Sequence, residues 1–272
     1  MRLALLSDIH GNSIALDAVF ADIEQAGGVD GYLFGGDYCA AGYDPAGVLQ
    51  RIHALPNAVF IRGNMDRQTI YLNEMWPQVE AAEMDSKLVR IAINVARSMS
   101  WTLGAVTVLG YSDWFRDLPL EHRLILPDGT RLLLVHAAPG TDDGRGVRLD
   151  HTQEDLTNIL AGCEADLVLV GHTHIPLDKQ VGDIRVVNLG GVSNPHMPDF
   201  RAWYAILEAD EKGYRLAQRQ VAYDVEAVMA AIRASTHPTP EFLCSYFEGK
   251  QISKQFWKDG MVQDWHSFDL KG

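Results

Sequence analysis

Cysteine is scarce in this 272-residue chain: Cys39, Cys163 and Cys244 are odd in number and far apart. That excludes a disulfide framework or a cysteine zinc knuckle and suits reduced thiols in a cytosol. Positive charge is also short, with 23 Lys and Arg against 36 Asp and Glu and a formal net charge of -13. A nucleic-acid duplex needs a basic stripe, and none is visible. An acidic protein still binds phosphorylated molecules when metal ions bring the positive charge. No apolar run approaches a membrane span. Leu3 to Leu6 meets Ser7-Asp8 too early for a signal-peptide core, so we expect a cytoplasmic protein with no membrane partner. The G-x-x-x-x-G-K-[ST] loop is missing, which removes the usual cradle of nucleotide kinases and GTPases. There is no Pro/Gly/Ser-rich linker and no internal repeat. At 47% apolar and 22% charged residues the composition is that of a globular domain. We expect one domain over residues 1–234 and a tail over 235–272.

What is there is a series of short apolar runs: Leu3 to Leu6, Tyr32 to Phe34, Ala58 to Ile61, Leu132 to Val135, Leu167 to Val170 and Ile184 to Val187. They are too short for helices and rich enough in Val, Ile and Leu for sheet-core strands. Helical patterns lie between several of them. Ile14, Ala15, Ala18, Val19, Phe20 and Ile23 share a face that Gly27-Gly28 ends, and Val48, Leu49 and Ile52 form another, as do Leu156, Ile159 and Leu160. Strands alternating with helices predict an α/β fold with much parallel pairing. Leu124 to Leu126, Asp128-Gly129 and Leu132 to Leu134 read as a hairpin. Residues 68–103, with Trp76 and Trp101, read as a helical insertion, either packed on the edge or capping a site. In the tail, Phe242, Tyr246, Phe247, Phe256, Trp257, Trp265 and Phe268 predict docking onto the domain.

The residues that follow the runs carry the chemistry. In order they are Asp8 and His10, then Asp37, then Asn64 and Asp66, then His136, then His172 and His174. Gly63-Asn64-Met65-Asp66 taken alone reads as a turn. Five carboxyl ends in succession presenting Asp, Asn or His are not turn chemistry, and in open α/β sheets the ligand crevice lies outside those ends. Asp8, His10, Asp37, Asn64, His136, His172 and His174 form an oxygen and nitrogen set without thiolate, suited to Mn, Fe or Zn. Seven donors exceed one tetrahedral ion and suit two ions about 3.5–4 Å apart with a bridging carboxylate.

Asp8-x-His10, Gly36-Asp37, Gly63-Asn64-x-Asp66, Val135-His136 and Gly171-His172-x-His174 resemble, in order, the five motifs of the calcineurin-like metallophosphoesterases. Gly36-Asp37-Tyr38, Tyr43-Asp44-Pro45 and Asn188 to Val192 are similar to its small bacterial and archaeal phosphodiesterase-like branch. The resemblance runs from Met1 to about Glu208. It implies a four-layer α/β sandwich of two mixed β-sheets flanked by helices, with metals among the strand-end loops. By position, Asp8, His10, Asp37 and His174 would hold one ion, and Asp37, Asn64, His136 and His172 the other. Two divalent ions are implied, Mn first, with Fe, Zn or Ni as alternatives.

In much of that family, position 65 is a histidine that helps the leaving group depart. Here it is Met65, which cannot donate a proton. Alkyl phosphomonoesters suffer most from that loss. The expected activity is therefore hydrolysis of phosphodiester or nucleotide polyphosphate bonds by a hydroxide held between the two metals, on a small phosphorylated substrate, a nucleotide among the options. Asn64, Asp66 and Arg67 are the expected catalytic residues, with Asp66 supporting rather than ligating. Arg62 and Arg67 either clamp further phosphates or sit on the surface. His151 and His196 either replace the acid or serve other duties, and Trp114-Phe115-Arg116 is either packing or a base-stacking platform. Two other readings stand: a phosphomonoesterase of the same family, and a non-catalytic member serving as an interaction platform. The latter predicts eroded ligands, and all seven are intact.

Overall fold

In the computed structural model, residues 1–72 and 86–253 are described. Trp76, Phe256, Trp257, Trp265 and Phe268 lie outside them, as do residues 73–85 of the helical insertion and 254–272 of the tail.

Leu3 to Leu6 lies in β1 (Arg2–Leu6), where alternate side chains serve two cores. Leu3 and Leu5 face Leu132, Leu134, Leu167 and Leu169. Those four belong to β5 (Arg131–Val135) and β6 (Leu167–Val170) of a second sheet. Ala4 and Leu6 pack with Leu16, Val19, Leu49 and Ile52, which come from α1 (Ser13–Gln25) and α2 (Pro45–His53). On the far side, Leu133, Val135, Val168 and Val170 meet Leu156 of α6 (Gln153–Ile159). Helix, sheet, sheet and helix follow in that order, with β1, β5 and β6 covered on both faces.

The first sheet has order β10-β9-β1-β2-β3 and the second β4-β5-β6-β8-β7. In the first, β1 pairs in parallel with β2 (Gly31–Phe34), and β2 with β3 (Ala58–Phe60). β9 (Ala202–Asp210) and β10 (Gly213–Val221) add antiparallel strands. In the second, β4 (Glu121–Ile125) and β5 form the expected hairpin. β6 is parallel to β5 and to β8 (Ile184–Asn188), while β7 (Leu177–Val181) runs antiparallel to β8. The parallel strands point their carboxyl ends the same way, which gathers the loops after β1, β2, β3, β5 and β6. Gly27 and Gly28 end α1 in left-handed conformation, their N–H groups returning to the Glu24 and Ile23 carbonyls.

α3 (Asn64–Ile70) leaves β3 at once, and α4 (Ser86–Val108) packs on it, Thr69 donating to Met99 Sδ at 3.3 Å. α5 (Ser112–Asp117) brings Trp114 and Phe115 into an aromatic cluster with Tyr38 and Phe60. That is the packing alternative for Trp114-Phe115. α7 (Val225–Ala234) and α8 (Pro240–Phe247) follow the sheets and bury Phe242 and Phe247. Among the described residues no helix is long and apolar enough to cross a membrane.

His237, between α7 and α8, is 4% exposed and ties this pair to α4. Its Nδ1 accepts from Thr239 N at 3.2 Å, so Nε2 donates to Ser98 Oγ at 3.0 Å. Burial pushes its pKa down to about 4. The unfolded chain takes up this proton near pH 6.5 and the folded chain only near pH 4, so stability falls as pH drops through that window. Between pH 7.5 and pH 5 the loss from this one group is about 2 kcal/mol. Urea unfolding should show a shallower pH slope for His237→Gln than for the parent; equal slopes would remove His237 as a cause.

Candidate metal centre

Five of the seven candidate ligands are placed by a backbone that sequence alone would assign to glycine. Asp8, His10, Asp37, His172 and His174 all have positive φ, between 46° and 68°. Non-glycine residues rarely adopt this region, and they cluster there at functional sites. Neighbouring glycines make the room. A Cβ at Gly63 would lie 2.0 Å from Asp37 Oδ1, one at Gly36 2.4 Å from the Gly63 nitrogen, and one at Gly171 2.1 Å from Ser7 Oγ.

The two carboxylates are held alike. Asp8 Oδ2 accepts from His172 N at 3.0 Å and Asp37 Oδ1 from Met65 N at 2.9 Å. The other oxygen of each turns inward. Asp37 Oδ2 lies 3.4 Å from His136 Nε2 and 3.8 Å from His10 Nε2. Asp8 Oδ1 lies 3.2 Å from His174 Nε2 and is a buried oxygen with no hydrogen-bond donor.

The histidines follow one rule: the outer ring nitrogen is tied to a main-chain carbonyl. His10 Nδ1 meets Ala40 O at 2.7 Å, His136 Nδ1 meets Gly35 O at 2.7 Å, and His174 Nδ1 meets Asn194 O at 2.6 Å. His172 is turned over, with Nε2 on Gly144 O at 2.8 Å and Nδ1 inward. A carbonyl only accepts, so each tied nitrogen carries the proton and each inward nitrogen presents a lone pair, the arrangement of a metal-ligating imidazole. The inward atoms crowd. His10 Nε2 and His174 Nε2 are 3.1 Å apart, and Asn64 Oδ1 is 3.1 Å from His136 Nε2 and 3.0 Å from His172 Nδ1. Lone pairs repel at such distances unless a cation sits among them, so the donor set fits divalent ions.

The electrostatics agree. Although burial works against it, His136 is pushed up to about 10 by the Asp37 and Asp8 carboxylates, and His174 is raised by Asp8 in the same way. Burial and the neighbouring His174 hold His10 down, and burial and His136 hold His172 down. The site demands positive charge, which protons on His136 and His174 or bound cations can supply. Asp8, His10 and His174 form one group able to hold an ion, and Asp8, Asp37 and His136 another.

The seven expected ligands therefore meet in one place, and the remaining expected residues make main-chain and ion-pair contacts around them. Asn64, Met65 and Asp66 form the first turn of α3 rather than a loop. Asp66, fully buried, accepts from Asp37 N at 2.7 Å, Tyr38 N at 3.0 Å and Gly63 N at 2.8 Å. Burial and the Asp37 charge push it up to about 8, against the pull of those N–H groups. Arg67 and Arg62 both pair with Asp142, at 3.0 Å and 2.7 Å. His151 accepts from Arg148 N. His196 stacks edge-on to His174 at 4.9 Å and is pushed down to about 3 by burial and by His174. The carbonyls of Ala40, Asn194 and Gly144 escaped the sequence reading, since a carbonyl leaves no residue signature. Gly144 and Gly146, both at positive φ, were the one available hint.

This is the site of a metal-binding phosphoesterase fold, and comparison with known proteins gives the family. The model of the calcineurin-like phosphoesterase superfamily domain matches residues 1–212. The chain belongs to that family. The uncharacterized protein MJ0912 of Methanocaldococcus jannaschii is 26% identical over 241 residues, 82% of this chain and 88% of that protein. Two solved structures share the fold. The hypothetical protein PH1004 of Pyrococcus horikoshii has a TM-score of 0.76 at 21% identity, covering 91% of this chain and 98% of its own. A metallophosphoesterase from Sphaerobacter thermophilus has 0.68 at 24%, covering 92% and 99%.

Proposed function

We propose that the chain is a dinuclear metal-dependent phosphoesterase that cleaves phosphodiester or nucleotide polyphosphate bonds of a small substrate. The observation that carries this is the convergence of four imidazole lone pairs, two carboxylate oxygens and the Asn64 carbonyl. Asp8, His10, Asp37 and His174 would hold one ion and Asp37, Asn64, His136 and His172 the other, with Asp37 shared. When bound, the ions supply an activated water, hold phosphoryl oxygens and neutralise charge as phosphorus is attacked. Manganese is the first choice for this oxygen and nitrogen set, and Fe, Zn and Ni follow. Asn64 turns its oxygen to His136 and His172, which leaves its amide N–H to donate to a phosphate oxygen. Met65 follows Asn64 without a proton to give, so the chain favours leaving groups that depart unaided.

Elemental analysis after saturation with Mn should give two specific ions per chain. Chelation should abolish turnover of a bis-aryl diester, and Mn should restore it best. One ion at saturation would end the dinuclear reading. Fastest turnover of alkyl monoesters, against diesters, cyclic nucleotides and dinucleoside polyphosphates, would end the substrate reading.

Met65→His tests the leaving-group argument. General acid help is worth about 10²–10⁴-fold at best, and an imported side chain seldom finds ideal geometry. A gain of about tenfold is expected in monoester relative to diester turnover. Equal loss on both substrates with metal content intact would show that Met65 serves packing alone.

A further inference from the structure

Residues 213–253 lie beyond the stretch that the family model matches, yet they reach the metal centre. Val228, Ile232, Phe242, Leu243 and Phe247 of α7 and α8 form a buried cluster with Ala41. Tyr43, Met65 and Tyr246 pack against it and stay partly exposed. Two lines of contact join this cluster to the ligands. On one side, Met65 packs on the cluster while its N–H holds Asp37 Oδ1. On the other, the His174 ring meets His196 at 4.9 Å, and His196 meets Tyr246 at 5.6 Å. The chain end locks this second line: His196 Nδ1 donates to Gln251 O at 2.8 Å, and Ser253 N donates to His196 O at 2.8 Å. Asp37 and His174 are thus both linked to one apolar cluster, the first through Met65 and the second through His196 and Tyr246.

We propose that α7, α8 and the segment to Ser253 form the substrate-selecting wall of the active site. Met65, Tyr43 and Tyr246 make a subsite there for an aromatic or apolar ester substituent on the phosphate. The proposal rests on the phosphoesterase reading and narrows it. A thioether and two phenol rings packed on one apolar cluster offer polarizable, ring-edge contact to a flat apolar group. A polyphosphate tail would need cations instead. Those of α7, α8 and the segment to Ser253, Arg233 and Lys250, both face Glu248, and Arg62 and Arg67 both face Asp142. The occupant that fits is an aryl or nucleoside group rather than a chain of further phosphates.

Calorimetry on the Mn-loaded full chain, with phenylphosphonate and methylphosphonate as probes, tests the wall without turnover. Burial of a phenyl ring predicts that the parent binds phenylphosphonate about tenfold more tightly than methylphosphonate. Tyr246→Ala and Met65→Ala should each shrink that preference to about threefold or less, with Mn content retained. Should Tyr246→Ala fail to fold, Met65→Ala decides, since alanine suits the first turn of α3. Equal affinity for both probes in the parent, binding of neither, or a preference unmoved by Met65→Ala overturns the proposal. A parent that prefers phenylphosphonate yet hydrolyses no ester would leave the wall standing and overturn the phosphoesterase reading, so the two failures are distinct.

Discussion

Asp37→Asn is expected to lower kcat/KM for a bis-aryl phosphodiester by about 10³-fold, the upper range for removing one electrostatic contact from an active site. The reason is the inward oxygen, which lies 3.4 Å from His136 Nε2 and 3.8 Å from His10 Nε2 and in the proposed dinuclear centre would face both ions. Asparagine is nearly isosteric and tolerates the positive φ of this position, so the loop survives while the charge is lost. The substitution should therefore weaken both ion sites together, and Mn titration should show fewer than two tight ions. Two ions bound with parental affinity would remove Asp37 from the bridging role.

Asp66→Ala is expected to act on stability first. It strips the acceptor from three backbone N–H groups, two of them at Asp37 and Tyr38 after β2 and one at Gly63 after β3. A buried donor left without a partner costs about 1–3 kcal/mol, so the sum is about 4 kcal/mol and the urea midpoint should fall accordingly. Metal affinity should fall with it, since the Asp37 backbone loses its tether. If Asp66 served only to orient a catalytic group, activity would drop while the unfolding midpoint stayed in place. Asp66→Asn should rescue little, because its amide would bring donors to face donors.

The candidate ligands were legible in the sequence because they follow closely on apolar strands: β1 ends at Leu6 two residues before Asp8, and β5 ends at Val135 immediately before His136. Those strands are covered on both faces, so they read as unbroken apolar runs. β7 and β10 were not legible for the opposite reason. Leu177-Asp178-Lys179-Gln180-Val181 is apolar only at its ends, and β10 carries Arg215, Gln218, Arg219 and Gln220. β9 holds a longer apolar stretch, Trp203 to Leu207, which pairs antiparallel to β1 and lacks the strand-helix alternation that marked the others. The work of Asp66 was hidden because two of its three partners, Asp37 N and Tyr38 N, are main-chain groups on another loop. Arg62 and Arg67 read as either phosphate clamps or surface residues, and their shared pairing with Asp142, distant in sequence, left no mark in the sequence.

The left-handed backbone at Asp8, His10, Asp37, His172 and His174 reaches beyond the site itself. Each such residue forgoes roughly 1 kcal/mol relative to glycine, and five together approach the 5–15 kcal/mol that holds a whole domain folded. The protein thus keeps its reactive geometry at the expense of its own durability. Drift toward glycine at any of these positions would harden the empty chain and disarm it, so selection for robustness and selection for chemistry pull the same five residues in opposite directions.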